Sequence, residues 1–247
     1  MVIDKDTDTS IYVGNSRIIA VMNGDECLYR IEGPGDEHTV LLLHANDFTD
    51  SSKTNLQITN NGWSINPNGK FANCFYTGQN SGNRLSAANN KAYRFGTGDF
   101  TIDWWMKCDT PWVDQPSSAG IIGQKYGDSQ TGWVIYKDTM PGTTNNLYMN
   151  ARVANGQGYF LTKVTPATGV WEHWALVRSN NTLMWFHNGH KVNTTSNSVD
   201  LNNTNGTFYM GYSETWSGYL VDTYIDEMRI SNMARWTDDF IPPTKPY

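Results

Sequence analysis

Residues 99–107 read Asp-Phe-Thr-Ile-Asp-Trp-Trp-Met-Lys, DFTIDWWMK. Side chains alternate across a strand, so Phe100, Ile102, Trp104 and Met106 fall on one face. Thr101, Asp103, Trp105 and Lys107 fall on the other. A helical period of 3.6 would mix the two sets, so the stretch predicts a β-strand with its apolar face turned to a core.

Strand signals recur on both sides of it. TVLLLHA (39–45) is a continuous apolar run, as a strand covered on both faces would be. TGWVIYKD (131–138), NNLYMNARV (145–153), VWEHWALVRS (170–179), GTFYMGYS (206–213) and TYIDEMRIS (223–231) read as further strands. In TLMWFHNGHKVN (182–193), Asn188-Gly189 lies between two alternating runs and predicts a tight hairpin. No segment carries a long helical period. The expected fold class is all-β, with two stacked antiparallel sheets. Ten Trp exceed what one sandwich core holds, so several are expected to be partly exposed.

EGPGDEH (32–38) divides the chain into an N-terminal arm and linker, 1–35, and a main domain, 36–247. Within the arm, IYVGNSRIIAVMNGDECLYRI (11–31) reads as a two- or three-stranded meander. It is too small to be stable alone, which implies docking on a partner surface. At the other end Pro242 and Pro243 cannot extend a sheet interior. Trp236 and Phe240 are expected to anchor that tail to the domain.

The formal net charge of −6 and the lack of any Lys/Arg run exclude a nucleic-acid backbone as partner. Cys27, Cys74 and Cys108 have neither C-x-x-C spacing nor an even number, so buried thiols are expected in place of a disulfide framework or zinc site. No apolar run is long enough for membrane insertion, and MVIDKDTDTS is not a signal peptide. The expectation is a soluble protein made in a reducing cytoplasm, reaching the exterior by lysis or particle release.

Four stretches, in this order, carry a family resemblance: LLLHANDFTDSS (41–52), FGTGDFTIDWWMK (95–107), WEHWALVRSNNTLMWFHNGHKV (171–192) and YIDEMRIS…ARWTDDFIPPTKPY (224–247). From about Asp36 to Tyr247 the chain resembles the laminin G-like, concanavalin A-like jelly-roll superfamily, in its bacterial and phage LamG-like branch. The N-terminal segment is similar to short β-segments that precede binding domains in phage tail and virion proteins. The resemblance implies a jelly-roll sandwich with a concave face and a loop rim. Members mostly bind glycans or proteins, many hold a structural Ca²⁺, and related glucanases are catalytic.

The E-x-D-x-x-E strand of those glucanases is absent here, and TGWVIYKD contains no Glu. Glu172 and Glu214 are isolated in sequence. Asp226 and Glu227, as neighbours in a strand, are expected on opposite faces, where they could not flank one glycosidic bond. GDSQTG (127–132) lacks the nucleophile elbow. No enzyme activity is expected. His187 and His190 read as solvated hairpin residues, and His44 and His173 as satisfied packing residues.

Two candidate sites remain. In the sandwich relatives an Asp opening the last strand meets the loop after the first strand, where Ca²⁺ joins them. Carried over, the metal candidates are Asp226 on one side and Asp47 and Asp50 on the other, since calcium takes several oxygen ligands. The alternative is that these acids cap turns or pair with Arg229 or Lys53. For ligands, aromatic rings in turn-rich segments are the candidates, because sugar faces stack on exposed rings. They are Trp112, Tyr126, Tyr159, Tyr212 and Trp216, with Asp128 and Asn155 nearby in sequence. Packing against a neighbouring loop or protein partner is the other reading, and Trp104, Trp171, Trp174 and Trp185 are assigned to the core.

The function expected from all this is a non-enzymatic virion protein, a capsid decoration or tail-associated subunit. It would dock through residues 1–33, form homo-oligomers or contact other subunits, and present its domain to cell-surface glycans. A free lectin module is the alternative, and a glycan hydrolase with an unfamiliar site the third reading.

Overall fold

The computed structural model describes residues 36–124, 132–137, 148–153, 160–202, 206–213 and 217–247, together with the strand backbone of 11–13, 16–23 and 26–32. Strands β1 (Ile11–Val13), β2 (Ser16–Asn23) and β3 (Glu26–Glu32) form an antiparallel meander. After the meander come β4 (Thr39–Leu43), β5 (Thr59–Asn61), β6 (Ser64–Asn66), β7 (Cys74–Tyr76), β8 (Arg84–Ala87) and β9 (Phe100–Cys108). Next come β10 (Gly120–Gln124), β11 (Trp133–Lys137), β12 (Met149–Val153), β13 (Phe160–Leu161), β14 (Glu172–Ser179) and β15 (Thr182–His187). The set closes with β16 (His190–Ser196), β17 (Phe208–Met210), β18 (Tyr212–Ser213), β19 (Gly218–Tyr219) and β20 (Thr223–Ser231). Helix is confined to two short 3-10 turns among the described residues, and none of their helices is long and apolar enough to cross a membrane.

Two antiparallel sheets make the sandwich. One runs β13-β12-β11-β10-β17-β8-β5, and the other β16-β15-β14-β9-β20-β7-β6 with β4 also paired to β20. The alternation read in DFTIDWWMK decides which face of β9 meets the opposing sheet: Phe100, Ile102, Trp104 and Met106 all enter the inter-sheet core. Trp174 and Leu176 of β14, Trp185 of β15, and Ile122, Ile135 and Phe208 of the other sheet complete that layer. Asn188-Gly189 closes β15 and β16 with φ of 49° and 81°, the left-handed pair that a two-residue hairpin turn requires.

The other face of β9 departs from expectation. Thr101 and Asp103 are fully buried and Trp105 nearly so. Lys70 and Phe71 cover Trp105, and a third layer covers the rest. The chain after β20 lies across the outer face of the eight-stranded sheet, bonding Thr101 and Asp103, and its Ala234, Trp236 and Phe240 pack on Ala175, Val177, Met184 and Phe186. Among the described tryptophans only Trp171 and Trp236 escape burial, because Trp63, Trp104, Trp112, Trp133, Trp174 and Trp185 all enter the inter-sheet core.

β20 is the closing strand. Its second half pairs with β4, Met228 opposite Leu43, and its first half with β7. Against β9 its register shifts between Asp226 and Arg229, and Glu227 sits at φ 50°, which marks a β-bulge. The bulge overturns the expectation that Asp226 and Glu227 face opposite ways. Asp226 is level with Trp105, while Glu227 reaches Tyr247, whose hydroxyl donates to Asp103. Trp105 and Asp103 share the outer face of β9, so both carboxylates lie on that side.

Candidate ligand-binding face

On the seven-stranded sheet, Leu85, Phe208 and Met210 point into the core, so Arg84, Ser86 and Tyr209 point outward. Strand register then sets Ser86, Tyr209, Gly123, Val134 and Arg152 in a row across five strands of that outer face. Toward β11 the face is closed, with Val134 5% and Tyr136 3% exposed. Toward β8 and β17 it is open: Arg84, Ser86 and Tyr209 are half-buried.

Tyr212 is brought to this open part by two glycines. Gly211, at φ 76°, bends the chain out of β17, and a Cβ there would overlap the Trp63 ring. At Gly120 a Cβ would overlap the Tyr212–Ser213 backbone, so only glycine lets β18 lie so close to β10. Tyr212 then stands edge-on to Tyr209, ring centroids 5.9 Å apart at 70°. The Arg84 guanidinium lies 5.3 Å from the Tyr212 ring and 5.9 Å from the Tyr209 ring. Tyr219, also half-buried, pairs with Tyr212 across β18–β19. Aromatic faces, phenolic hydroxyls and a guanidinium fork on one partly open surface can stack the C–H face of a sugar and hydrogen-bond its hydroxyls.

Of the ligand residues expected from sequence, Tyr212 belongs to this cluster. Trp112 does not serve as an exposed platform. A 3-10 turn, Trp112–Asp114, tucks its ring into the inter-sheet core at 1% exposure. Tyr126, Asp128, Asn155, Tyr159 and Trp216 lie outside the described residues. Arg84 and Tyr209 were missed, although the alternation in RLSA (84–87) and FYM (208–210) carried the signal.

The closing strand and the segment after the opening strand meet through acidic groups. His44, directly after β4, hydrogen-bonds both Glu227 oxygens at 2.9 and 3.0 Å, so the closing strand does meet the segment following the opening one. Asp50 is buried and accepts from Leu42 N–H, Ser52 N–H, the Ser52 hydroxyl and Leu56 N–H, all within 3.0 Å. Asp47 is exposed and caps Thr49. Asp226 accepts from the Lys70 and Phe71 N–H groups at 2.9 and 3.2 Å. Burial, reinforced by the Glu227 charge, pushes its carboxyl up to about 6. Among the described residues no three His, Cys, Asp or Glu side chains converge in a group able to hold a metal ion. Asp47 and Asp50 act as turn caps, and the oxygens of Asp47, Asp50 and Asp226 accept protein donors.

Elsewhere Glu172 is not isolated: it accepts from Ala167 N–H and meets His187 Nε2, each at 2.8 Å. His173 is fully buried, with Nε2 3.6 Å from Asp103, too long for the satisfied hydrogen bond expected of it.

Residues 77–239 match the Laminin_G_3 family model, described as the concanavalin A-like lectin/glucanases superfamily. No curated protein sequence matches the chain. The binding domain of Paraclostridial Mosquitocidal Protein 1 superposes with TM-score 0.61 at 16% identity, over 80% of this chain and 49% of that one. The receptor binding domain of botulinum neurotoxin C/D mosaic serotype gives 0.62 at 14%, over 81% and 49%. Domain 4 of AbnA, a GH43 extracellular arabinanase from Geobacillus stearothermophilus solved with arabinotriose, gives 0.58 at 16%, over 80% and 93%. The chain thus spans about half the length of the toxin binding domains it matches and nearly all of the arabinanase domain. At these identities the likeness is one of fold.

Proposed function

The chain belongs to the concanavalin A-like lectin/glucanases superfamily, and we propose that it is a non-catalytic binding domain for carbohydrate. The observation that carries this reading is the half-exposed Arg84–Tyr209–Tyr212 cluster on the outer face of the seven-stranded sheet. The similarity to toxin binding domains and to a domain crystallised with arabinotriose supports it. A non-catalytic role is supported by the carboxylates. Asp226 and Glu227 share a face but are buried at 1% and 3% exposure, Asp226 against the Lys70–Phe71 backbone and Glu227 against Tyr247, and each accepts hydrogen bonds from the protein. A glycosidase needs its pair open to the substrate.

The N-terminal meander favours a finer reading, in which the domain is a subunit of a virion, anchored by residues 1–33 and presented to glycans. Self-association into a homo-oligomer belongs to that reading.

The test is a glycan array with the intact chain, Tyr209→Ala and Tyr212→Ala. Retention by the intact chain that is lost in both variants, with unchanged melting temperatures, is the expected result. No retained glycan, or retention indifferent to both substitutions, overturns the reading. Turnover of any polysaccharide on a broad panel overturns its non-catalytic part. Failure of the chain to enter particles when co-expressed with virion components removes the finer reading alone.

A further inference from the structure

We propose that the Arg84–Tyr209–Tyr212 cluster selects sugars bearing an isolated anionic group, a carboxylate or a sulfate. The inference rests on the carbohydrate-binding reading above and deepens it.

Arg178, Arg229 and Arg235 are satisfied within the protein. Arg229 is held by Asp103, and Arg235 by Asp36 through two hydrogen bonds of 2.8 and 2.9 Å. Arg178 is saturated by the carbonyls of Gly96, Gly98 and Val199. Arg84 differs. It donates from Nη1 to the Gly82 carbonyl at 2.8 Å, and among the described residues no carboxylate pairs with it. A guanidinium has five N–H donors in a planar fork, so most remain available to a ligand. The Tyr209 and Tyr212 rings steady the cation without neutralising it. A cation kept half-buried between rings, charged and with unused donors, matches a planar or tetrahedral oxyanion better than a neutral hydroxyl.

The rest of the chain limits how much negative charge the ligand can carry. The formal net charge is −6, so a dense polyanion would be repelled over most of the surface. Fixed charges beyond roughly 8 Å are screened at physiological ionic strength. A single acid group beside Arg84 therefore feels the guanidinium, whereas further charges on the same ligand find no second cation in the Arg84–Tyr209–Tyr212 cluster. The chemical class that fits is an oligosaccharide with one acidic residue per binding site.

The experiment is an array of neutral glycans printed beside their carboxylated and sulfated counterparts, with heparin as a dense polyanion. The intact chain, Arg84→Gln, Arg84→Lys and Tyr212→Ala are compared, each checked for an unchanged melting temperature. The expected result is at least about tenfold stronger retention of the singly charged glycans, the scale of one charge-assisted hydrogen bond. That preference should weaken between 50 and 500 mM salt, vanish in Arg84→Gln and survive only in part in Arg84→Lys. Which of the carboxylated or sulfated arms is retained identifies the source of the anion. Equal retention of neutral partners, or a preference that survives Arg84→Gln while Tyr212→Ala abolishes binding, overturns this inference and leaves the carbohydrate reading standing. Stronger retention of heparin than of singly charged glycans also overturns it. No retention of any glycan sinks both.

Discussion

The Arg229 guanidinium donates to both carboxylate oxygens of Asp103, at 3.0 and 3.2 Å, between the eight-stranded sheet and the C-terminal layer. The Tyr247 ring lies 3.5 Å from the same guanidinium, and its hydroxyl donates to Asp103. Burial alone would raise the Asp103 carboxyl, but the charge of Arg229 and the hydrogen bonds it receives outweigh that and hold it at about 2. Asp103→Asn leaves a buried cation without its counter-charge, and about 3–5 kcal/mol of stability should be lost. Replacing both partners, Asp103→Leu with Arg229→Met, should recover most of it, because well-packed apolar groups remove the desolvation problem. Urea denaturation of the single and double variants checks this; a double variant as unstable as the single one contradicts it.

The C-terminal layer is held chiefly by rings. Trp236 stacks on Phe240 at 3.9 Å and presents its ring to His173 at 6.0 Å. Trp236 is only half-buried, so Trp236→Ala should cost ~2 kcal/mol, less than a fully buried ring. It should also loosen the cover over Val177 and Phe186, which a rise in binding of a hydrophobic dye would report.

Much of the sandwich was legible in the sequence because local rules decide it. Alternation put Phe100, Ile102, Trp104 and Met106 in the core, and Asn188-Gly189 closed its hairpin. What was not legible is non-local. Thr101, Asp103 and Trp105 look like a solvent face until residues 232–247, over a hundred positions away, cover the first two and Lys70 and Phe71 cover the third. The bulge at Glu227 follows from pairing with β9 and β4 at once, and nothing in IDEM announces it. Trp112 sits in a turn-rich stretch, which reads as surface, yet the turn itself rotates the ring inward. At the candidate site, the loop-like context of Tyr212 is what singles it out in the sequence. Alternation in RLSA and FYM gives Arg84 and Tyr209 an outward face, but only the sheet order that places β8 beside β17 brings them together.

Gly189 joins the hairpin to the C-terminal layer. It sits at φ 81°, and its carbonyl accepts from Phe240 N–H at 2.9 Å. A Cβ there would overlap the Phe240 carbonyl oxygen, which is backbone and cannot rotate away. Gly189→Ala should therefore destabilise by more than ~1 kcal/mol, combining backbone strain with displacement of the strap. Faster hydrogen exchange at residues 236–241 than at β9 is the expected signature. Uniform change across the domain would argue for strain in the turn alone.

Asp226 sets the sign of one pH effect. Its carboxyl is pushed up from 3.8 to about 6, by burial first and by Glu227 second. The folded state therefore holds that proton more tightly than the unfolded chain does. The resulting stabilisation is complete below about pH 3.8 and is lost as pH rises through about 6. A gap of that size corresponds to about 3 kcal/mol. Asp103 runs the other way: held at about 2, it stabilises above its ordinary range and fails only in stronger acid. Asn at 226 keeps an oxygen to accept from Lys70 and Phe71 but carries no charge. Asp226→Asn should thus match the parent chain near pH 4 and exceed its stability by up to ~3 kcal/mol at pH 7. Paired urea titrations at pH 4, 5, 6 and 7 measure the difference. A difference that stays flat across that range would mean the carboxylate is solvated, or compensated by His44, whose own value Glu227 raises against the effect of burial.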